Sequence, residues 1–299
     1  MWRSLQFRVK VSIDQWHERG HVSHLLGHDV FCVDSGEIEK PNIFLIHGFP
    51  TSSWDWTPIW DSLQASYRLI ALDLLGFGFS DKPNPHEYSI MEQADLCEAL
   101  LLDRKVDTFH VLAHDYGDTV AQELLARQNE GRGVGHWMSV CFLNGGLFPE
   151  THRARLIQKL LLSPIGPFVN RLSTKSTFDR SLSAVFGPLT KPSAEELDAF
   201  WDLVNYNDGK HVFHSLITYM VDRKKHRERW LEALRNSIVP IGLINGSVDP
   251  VSGAHMIERY REVVSPDHFI VELPTIGHYP QMEAPEQVVE AYLRFLGQL

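Results

Sequence analysis

Short runs of almost entirely apolar residues recur along the chain, and each ends in a stretch containing glycine or polar residues. Such runs are typical of strands buried on both faces of a mostly parallel sheet. Segments with helical character separate them, so the order predicts an α/β fold with a mostly parallel central sheet and flanking helices. The predicted strands are Asn42–Ile46, Tyr67–Leu72, Phe109–Ala113, Met138–Leu143, Val239–Ile244 and Phe269–Leu273.

The pattern changes between Phe148 and about Asn236, where apolar residues recur at helical spacing and prolines interrupt the chain. We interpret residues 148–236 as a helical cap inserted into the core. The core then comprises residues 1–147 and 237–299. Within the cap, the charged run from Arg223 to Arg229 is interpreted as a solvated helix face rather than an anion site.

Composition places the chain among ordinary globular proteins, with 43% hydrophobic and 22% charged residues. Its net charge of −10 argues against a nucleic-acid partner. The three cysteines lack metal-site spacing, and no apolar run is long enough for a membrane span or, within Met1–Lys10, a signal peptide. We therefore expect a cytoplasmic protein without a membrane anchor, either a monomer or a homo-oligomer.

The most informative residue is Asp115, in the sequence Ala113-His114-Asp115-Tyr116-Gly117 between a predicted strand and a predicted helix. This spacing is typical of the nucleophile elbow of hydrolases, where a serine usually stands. A carboxylate that attacks a saturated carbon forms an ester, which water can cleave, whereas a serine would form a stable ether. The substitution favours cleavage of carbon–oxygen or carbon–halogen bonds.

Two further residues follow predicted strands in the order of a catalytic triad. Asp249 follows the next-to-last strand and His278 follows the last. Taken separately, Asp249 fits a turn before Pro250, and His278 is one of 16 histidines. Their joint placement predicts catalysis, with oxyanion-hole N–H groups contributed by Phe49 and Tyr116.

These motifs resemble the α/β-hydrolase-fold group of epoxide hydrolases and haloalkane dehalogenases over nearly the whole chain. The resemblance rests on His47-Gly48-Phe49-Pro50, the Asp73–Pro83 loop, His114-Asp115-Tyr116-Gly117, Asp249-Pro250 and Gly277-His278. Longer strings, Gly76–Pro83, His114–Asp118 and Asn144–Arg153, are similar to the mesoderm-specific transcript proteins and their bacterial relatives. The resemblance implies that Asp115 forms an alkyl ester and that His278, oriented by Asp249, activates water to hydrolyse it.

The leaving group separates the two activities of this group. In dehalogenases, halide-binding N–H groups come from side chains at the positions of Phe49 and Tyr116, and neither residue has a side-chain N–H. In epoxide hydrolases, cap tyrosines assist ring opening. Only Tyr206 and Tyr219 lie in the predicted cap, and Tyr219 fits the second of the family's two tyrosine positions better than Tyr206 fits the first.

Around the usual position of the first cap tyrosine the chain has Phe178 and Phe186, which cannot donate a hydrogen bond. His152 or His214 is an alternative donor. The sequence thus predicts an epoxide hydrolase with a small hydrophobic epoxide and water as substrates and with neither metal nor organic cofactor. The alternatives are a haloalkane dehalogenase and a non-catalytic binding protein of the same fold.

Overall fold

A computed structural model describes residues 11–299 of the chain. The expectation that Met1–Lys10 contains no membrane-anchoring segment lies outside this range. None of the helices between residues 11 and 299 is long and apolar enough to cross a bilayer.

The eight strands form one sheet in the order β1-β2-β4-β3-β5-β6-β7-β8. Strand β2 pairs antiparallel with both β1 and β4, and all the other pairs are parallel. The strands are β1 (His21–Leu25), β2 (His28–Asp34), β3 (Asn42–Ile46), β4 (Arg68–Leu72), β5 (Thr108–His114), β6 (His136–Leu143), β7 (Ile241–Gly246) and β8 (Phe269–Leu273).

All six predicted strands are confirmed as β3 to β8 within two residues at each end. Strands β3, β4 and β7 have almost no exposed residue, as expected where helices cover both faces of the sheet. The hairpin of β1 and β2 was not predicted. Leu26 and Gly27 form its turn, both with positive φ angles.

Helices cover both faces of the sheet. The core helices are α1 (Ile13–Arg19), α2 (Thr57–Gln64), α3 (Ile90–Asp103), α4 (Tyr116–Asn129), α12 (Ala254–Val263), α13 (Pro280–Glu283) and α14 (Pro285–Leu296). Side chains of α3, α4 and α12 contribute to one apolar cluster, and side chains of α1, α2 and α14 contribute to the other. Two packed layers thus hold the carboxyl ends of β3, β5, β6 and β7 at a common edge.

Residues 148–226, within the segment interpreted as a cap, contain helices but no strand. The helices are α5 (Leu156–Leu161), α6 (Gly166–Leu172), α7 (Lys175–Ser183), α8 (Ala194–Asn205), α9 (Phe213–Leu216) and α10 (Tyr219–Lys225), with a 3₁₀ segment at Tyr206–Val212. The next helix, α11 (Arg227–Arg235), belongs with the core. Arg229 and Trp230 both bond to Glu123 on α4 at 2.9 Å.

Candidate active site

Asp115 occupies a strained turn between β5 and α4. Its φ and ψ angles of 48° and −102° fall in a region that non-glycine residues rarely adopt. Gly117 makes this turn possible, because a Cβ there would collide with the backbone carbonyls of Ile46 and His47 on the neighbouring strand end. The elbow predicted from the sequence is therefore present, with the Asp115 side chain 3% exposed.

The two oxygens of the Asp115 carboxylate have different neighbours. Oδ2 accepts a hydrogen bond from the Phe49 backbone N–H at 3.0 Å. Oδ1 lies 3.7 Å from His278 Nε2. Tyr116 is the first residue of α4, so its N–H belongs to the unpaired, partly positive end of that helix. The carboxylate thus has one oxygen held by an amide and the other facing the histidine.

His278 and Asp249 are hydrogen-bonded as the sequence predicts. His278 Nδ1 is 2.7 Å from Asp249 Oδ2. Burial alone would lower the pKa of His278, but the charge and hydrogen bond of Asp249 and the charge of Asp115 raise it to about 9. Burial would likewise raise the pKa of Asp249, yet the charge of His278 and its hydrogen bonds lower it to about 2. Asp249 therefore stays ionised and orients the imidazole.

Several residues that the sequence analysis did not single out position this pair. Asn144, at the end of β6, donates to Asp249 Oδ2 at 3.0 Å, and the Ser252 hydroxyl donates to the same oxygen at 2.8 Å. Glu283 accepts from the N–H groups of Gly277 and Tyr279 at 2.9 and 3.0 Å, on both sides of His278. These bonds fix the loops that follow β7 and β8.

Arg223 corrects the interpretation of residues 223–229 as a solvated face. Its side chain is 2% exposed and lies close to Asp115. Nη2 donates to the Asp115 carbonyl at 3.2 Å and is 4.0 Å from Asp115 Oδ1, and Nε donates to Thr119 Oγ1 at 2.7 Å. Tyr219 precedes Arg223 by four residues, so the two share a helix face. This spacing is the sequence feature that could have placed Arg223 on the same side of the helix as Tyr219.

Arg223 also joins two of the predicted ring-opening donors. Its guanidinium lies 4.5 Å from the centre of the Tyr219 ring, and its Nη1 donates to His152 Nδ1 at 3.3 Å. Burial, followed by the charges of Arg223 and His278, lowers the pKa of His152 to about 3. Burial and the charge of Asp115 raise the pKa of Tyr219. Both side chains are therefore neutral, with Tyr219 protonated.

The structure does not bring Tyr206 to this site. The residue is 38% exposed and directly follows α8, where its ring packs edge-on against Phe79 at 5.0 Å. His214 bonds within the cap, since its Nδ1 accepts from Asn170 at 2.8 Å. Phe178 lines the cleft above Asp115, and Phe186 stacks on Tyr279 at 4.8 Å.

The cleft between core and cap holds about 970 Å³ of empty space, including the solvent at its mouth. The core contributes Phe49, Asp115, Val251, His278 and Tyr279 to the wall. Residues 148–226 contribute both apolar and polar side chains. The apolar ones are Ile157, Leu161, Phe178, Leu182, Val185, Trp201, Val204 and Phe213, and the polar ones are Arg155, Gln158, Ser173, Thr177, Ser181 and Lys210. A cleft with a largely apolar surface and a smaller number of polar groups is typical of a site for a small molecule.

Comparison with known proteins shows the family to which the chain belongs. The family described as alpha/beta hydrolase fold matches residues 41–285. The chain belongs to the α/β-hydrolase family. It is 45% identical over 298 residues to the human mesoderm-specific transcript homolog protein, covering 97% of this chain and 89% of that protein. It is 39% identical to a Mycobacterium tuberculosis protein named as the hydrolase LipZ, covering 95% and 98% of the two chains.

Solved structures of other α/β-hydrolases share the fold. A haloalkane dehalogenase, DbeA from Bradyrhizobium elkani, matches with a TM-score of 0.76 and 23% identity, over 93% of this chain and 97% of that one. A bacterial membrane phospholipase A matches with a TM-score of 0.73 and 23% identity, over 93% and 86%. At this identity the likeness concerns the fold alone.

Proposed function

We propose that this α/β-hydrolase converts epoxides to vicinal diols through a covalent ester on Asp115. The observation that carries the proposal is the divided environment of the Asp115 carboxylate. Oδ2 is held by the Phe49 N–H at 3.0 Å, while Oδ1 faces the cleft side of His278 at 3.7 Å. A nucleophile needs one free oxygen, and the later tetrahedral intermediate needs the other oxygen to be stabilised by N–H donors.

In the first step, Oδ1 of Asp115 attacks an epoxide carbon and the bond from that carbon to the ring oxygen breaks. The ring oxygen keeps the electron pair and takes a proton from the Tyr219 hydroxyl. His152 is the second donor in the proposal, in place of Tyr206. Its Nδ1 accepts from Arg223, so its hydrogen is on Nε2. A neutral imidazole is known to act as such a donor when its pKa is depressed.

Ester formation changes the state of His278. The charge of Asp115 is one of the causes that raise the pKa of His278, and the ester has no such charge. The imidazolium of His278 then gives up its proton, and this proton restores the hydroxyl of Tyr219, which donated its own to the ring oxygen. His278 becomes the neutral base that the second step needs.

In the second step, His278 Nε2 removes a proton from water, and the hydroxide attacks Cγ of Asp115. Negative charge collects on Oδ2, where the N–H groups of Phe49 and Tyr116 stabilise it. The ester bond then breaks, and the departing alkoxide takes the proton of the new carboxyl group. The site returns to ionised Asp115 and protonated His278, so one epoxide and one water have become one diol.

The positions of Phe49 and Tyr116 argue for epoxide rather than halide. Both side chains lie in an aromatic group with Phe77 and Tyr219, with ring centres 4.9 to 6.1 Å apart. Neither offers an N–H to a departing halide. An alkoxide instead needs a proton, and Tyr219 keeps its proton because its pKa is raised.

Trapping the ester tests the mechanism and the substrate together. In His278→Gln the base is lost, so the ester accumulates on Asp115. With styrene oxide, we expect intact-protein mass to rise by the whole mass of the epoxide, because ring opening releases no fragment. With a chloroalkane, the added mass would be that of the substrate less HCl. Peptide mapping should place the adduct on Asp115.

The control is His136→Gln, which replaces an exposed histidine and should turn over without accumulating an adduct. Halide release from haloalkanes without diol from epoxides would refute the proposal in favour of the dehalogenase. Neither product from wild-type enzyme would favour a non-catalytic binding protein.

A further inference from the structure

Three side chains with metal-binding atoms converge outside the catalytic cleft. His28 begins β2, His86 lies in the segment that precedes α3, and Glu92 is in the first turn of α3. One ligand atom of each lies within 4.8 Å of the other two. His28 is more than 50 positions before the other two, so no spacing motif in the sequence indicates the cluster.

The geometry leaves Glu92 between the two imidazoles. His86 Nε2 is 2.8 and 3.0 Å from the two carboxylate oxygens, and His28 Nε2 is 4.0 Å from Oε1. Within residues 11–299, the ion pairs of Glu92 involve only these imidazoles, so no lysine or arginine competes for its carboxylate. The three side chains are 22 to 26% exposed, which leaves one side open to water.

Neighbouring contacts hold the segments in place. The Asp29 N–H donates to Asp81 Oδ2 at 2.8 Å, and the Asp81 N–H donates to the Asp29 carbonyl at 2.9 Å. These two bonds tie the β1–β2 hairpin to the segment that carries His86. The Tyr88 ring packs edge-on against the His86 ring at 4.8 Å. The ligands are therefore arranged before any ion binds.

We propose that His28, His86 and Glu92 bind a Zn²⁺ ion, with water as the fourth ligand. Two imidazoles and a carboxylate suit zinc, whereas magnesium and calcium prefer oxygen ligands. Tetrahedral zinc with bonds of about 2.1 Å needs ligand atoms roughly 3.4 Å apart. The Glu92 to His86 distances are 2.8 and 3.0 Å and the Glu92 to His28 distance is 4.0 Å. Small side-chain rotations that separate the first pair and bring the second pair closer would complete the site. The bound ion would link the hairpin to α3 and stabilise the folded state.

Zinc titration of the metal-free full-length protein tests the proposal. Isothermal calorimetry on wild type should give one high-affinity site and a rise in melting temperature. His28→Gln and Glu92→Gln should each weaken binding at least tenfold and abolish most of that rise. The matched control is His24→Gln, on the same hairpin and 70% exposed, which should bind zinc as wild type does.

Melting curves without metal establish that each variant is folded. If a variant fails to fold, the visible absorption of Co²⁺ bound to wild type gives a second measurement, since a four-coordinate site has an intense spectrum and a six-coordinate one does not. Equal zinc binding by wild type, His28→Gln and Glu92→Gln would show that other histidines bind the metal and would overturn the proposal. Weak, six-coordinate Co²⁺ binding by wild type would also overturn it.

Discussion

Replacement of Arg223 by methionine removes the charge beside Asp115 while keeping most of the side-chain volume. The guanidinium Nη2 lies 4.0 Å from Asp115 Oδ1, and both side chains are buried. At that distance and an effective dielectric constant of about 20, the attraction between two unit charges is about 4 kcal/mol. Removal of one partner from a buried pair typically destabilises a protein by about 3–5 kcal/mol.

We therefore expect Arg223→Met to lower the free energy of unfolding by about 3–5 kcal/mol. Arg223→Lys should lower it less, because lysine keeps the charge but loses the fork of donors that reaches Thr119 and His152. Urea unfolding followed by tryptophan fluorescence measures both values. In the His278→Gln background, Arg223→Met should also slow ester formation, since Asp115, Tyr219 and His152 lose their common partner.

The matched control is Lys224→Met, at the next position of α10 and exposed to solvent. Surface substitutions of this kind usually change stability by less than about 0.5 kcal/mol. If Arg223→Met destabilises the protein no more than Lys224→Met does, the buried contact with Asp115 contributes nothing measurable. The description of Arg223 as part of the site would then be wrong.

Three further perturbations address the same site. Gly146→Ala places a Cβ against the guanidinium of Arg223, so we expect a loss of about 1–3 kcal/mol in urea unfolding. Tyr219→Phe should lower kcat/KM for epoxides about 10²- to 10⁴-fold, whereas Tyr206→Phe should leave steady-state rates unchanged. The pKa of His278 is raised from 6.5 to about 9, so protonation of this residue stabilises the folded state, and the effect is complete below pH 6.5. We expect this stabilisation of about 3 kcal/mol to be lost as the pH rises from 6.5 through about 9, and urea unfolding at a series of pH values measures the loss.

Each of these has its own check. Gly297→Ala, at the end of α14 with ordinary backbone angles, should unfold like wild type, and a similar result for Gly146→Ala would contradict the predicted collision. Equal losses of activity in Tyr219→Phe and Tyr206→Phe would remove Tyr219 from the ring-opening step. The alkaline loss of stability should be absent in His278→Gln, and its persistence there would assign it to other groups.

The sheet and the convergence of Asp115, Asp249 and His278 could be predicted because both depend on local sequence patterns. A strand buried on two faces must be apolar along its length, and the chain that leaves it carries the site residues. Asp115 and Asp249 follow two such strands, and His278 follows β8, which is only partly buried. The hairpin of β1 and β2 was missed because polar residues such as His21, Ser23 and His24 interrupt its apolar pattern.

The helix α10 contains a residue whose burial local sequence patterns do not predict. Lysine, arginine and histidine on a short helix suggest solvent, and Lys224 fits that rule. Arg223 breaks it because the Asp115 carbonyl, the Thr119 hydroxyl and the neutral imidazole of His152 accept its hydrogen bonds. These acceptors lie in two segments that are distant from Arg223 in the sequence. The space for its guanidinium depends on Gly146, 77 positions earlier. A cation can be buried only when its partners are in place, so this part of the site follows from the tertiary structure.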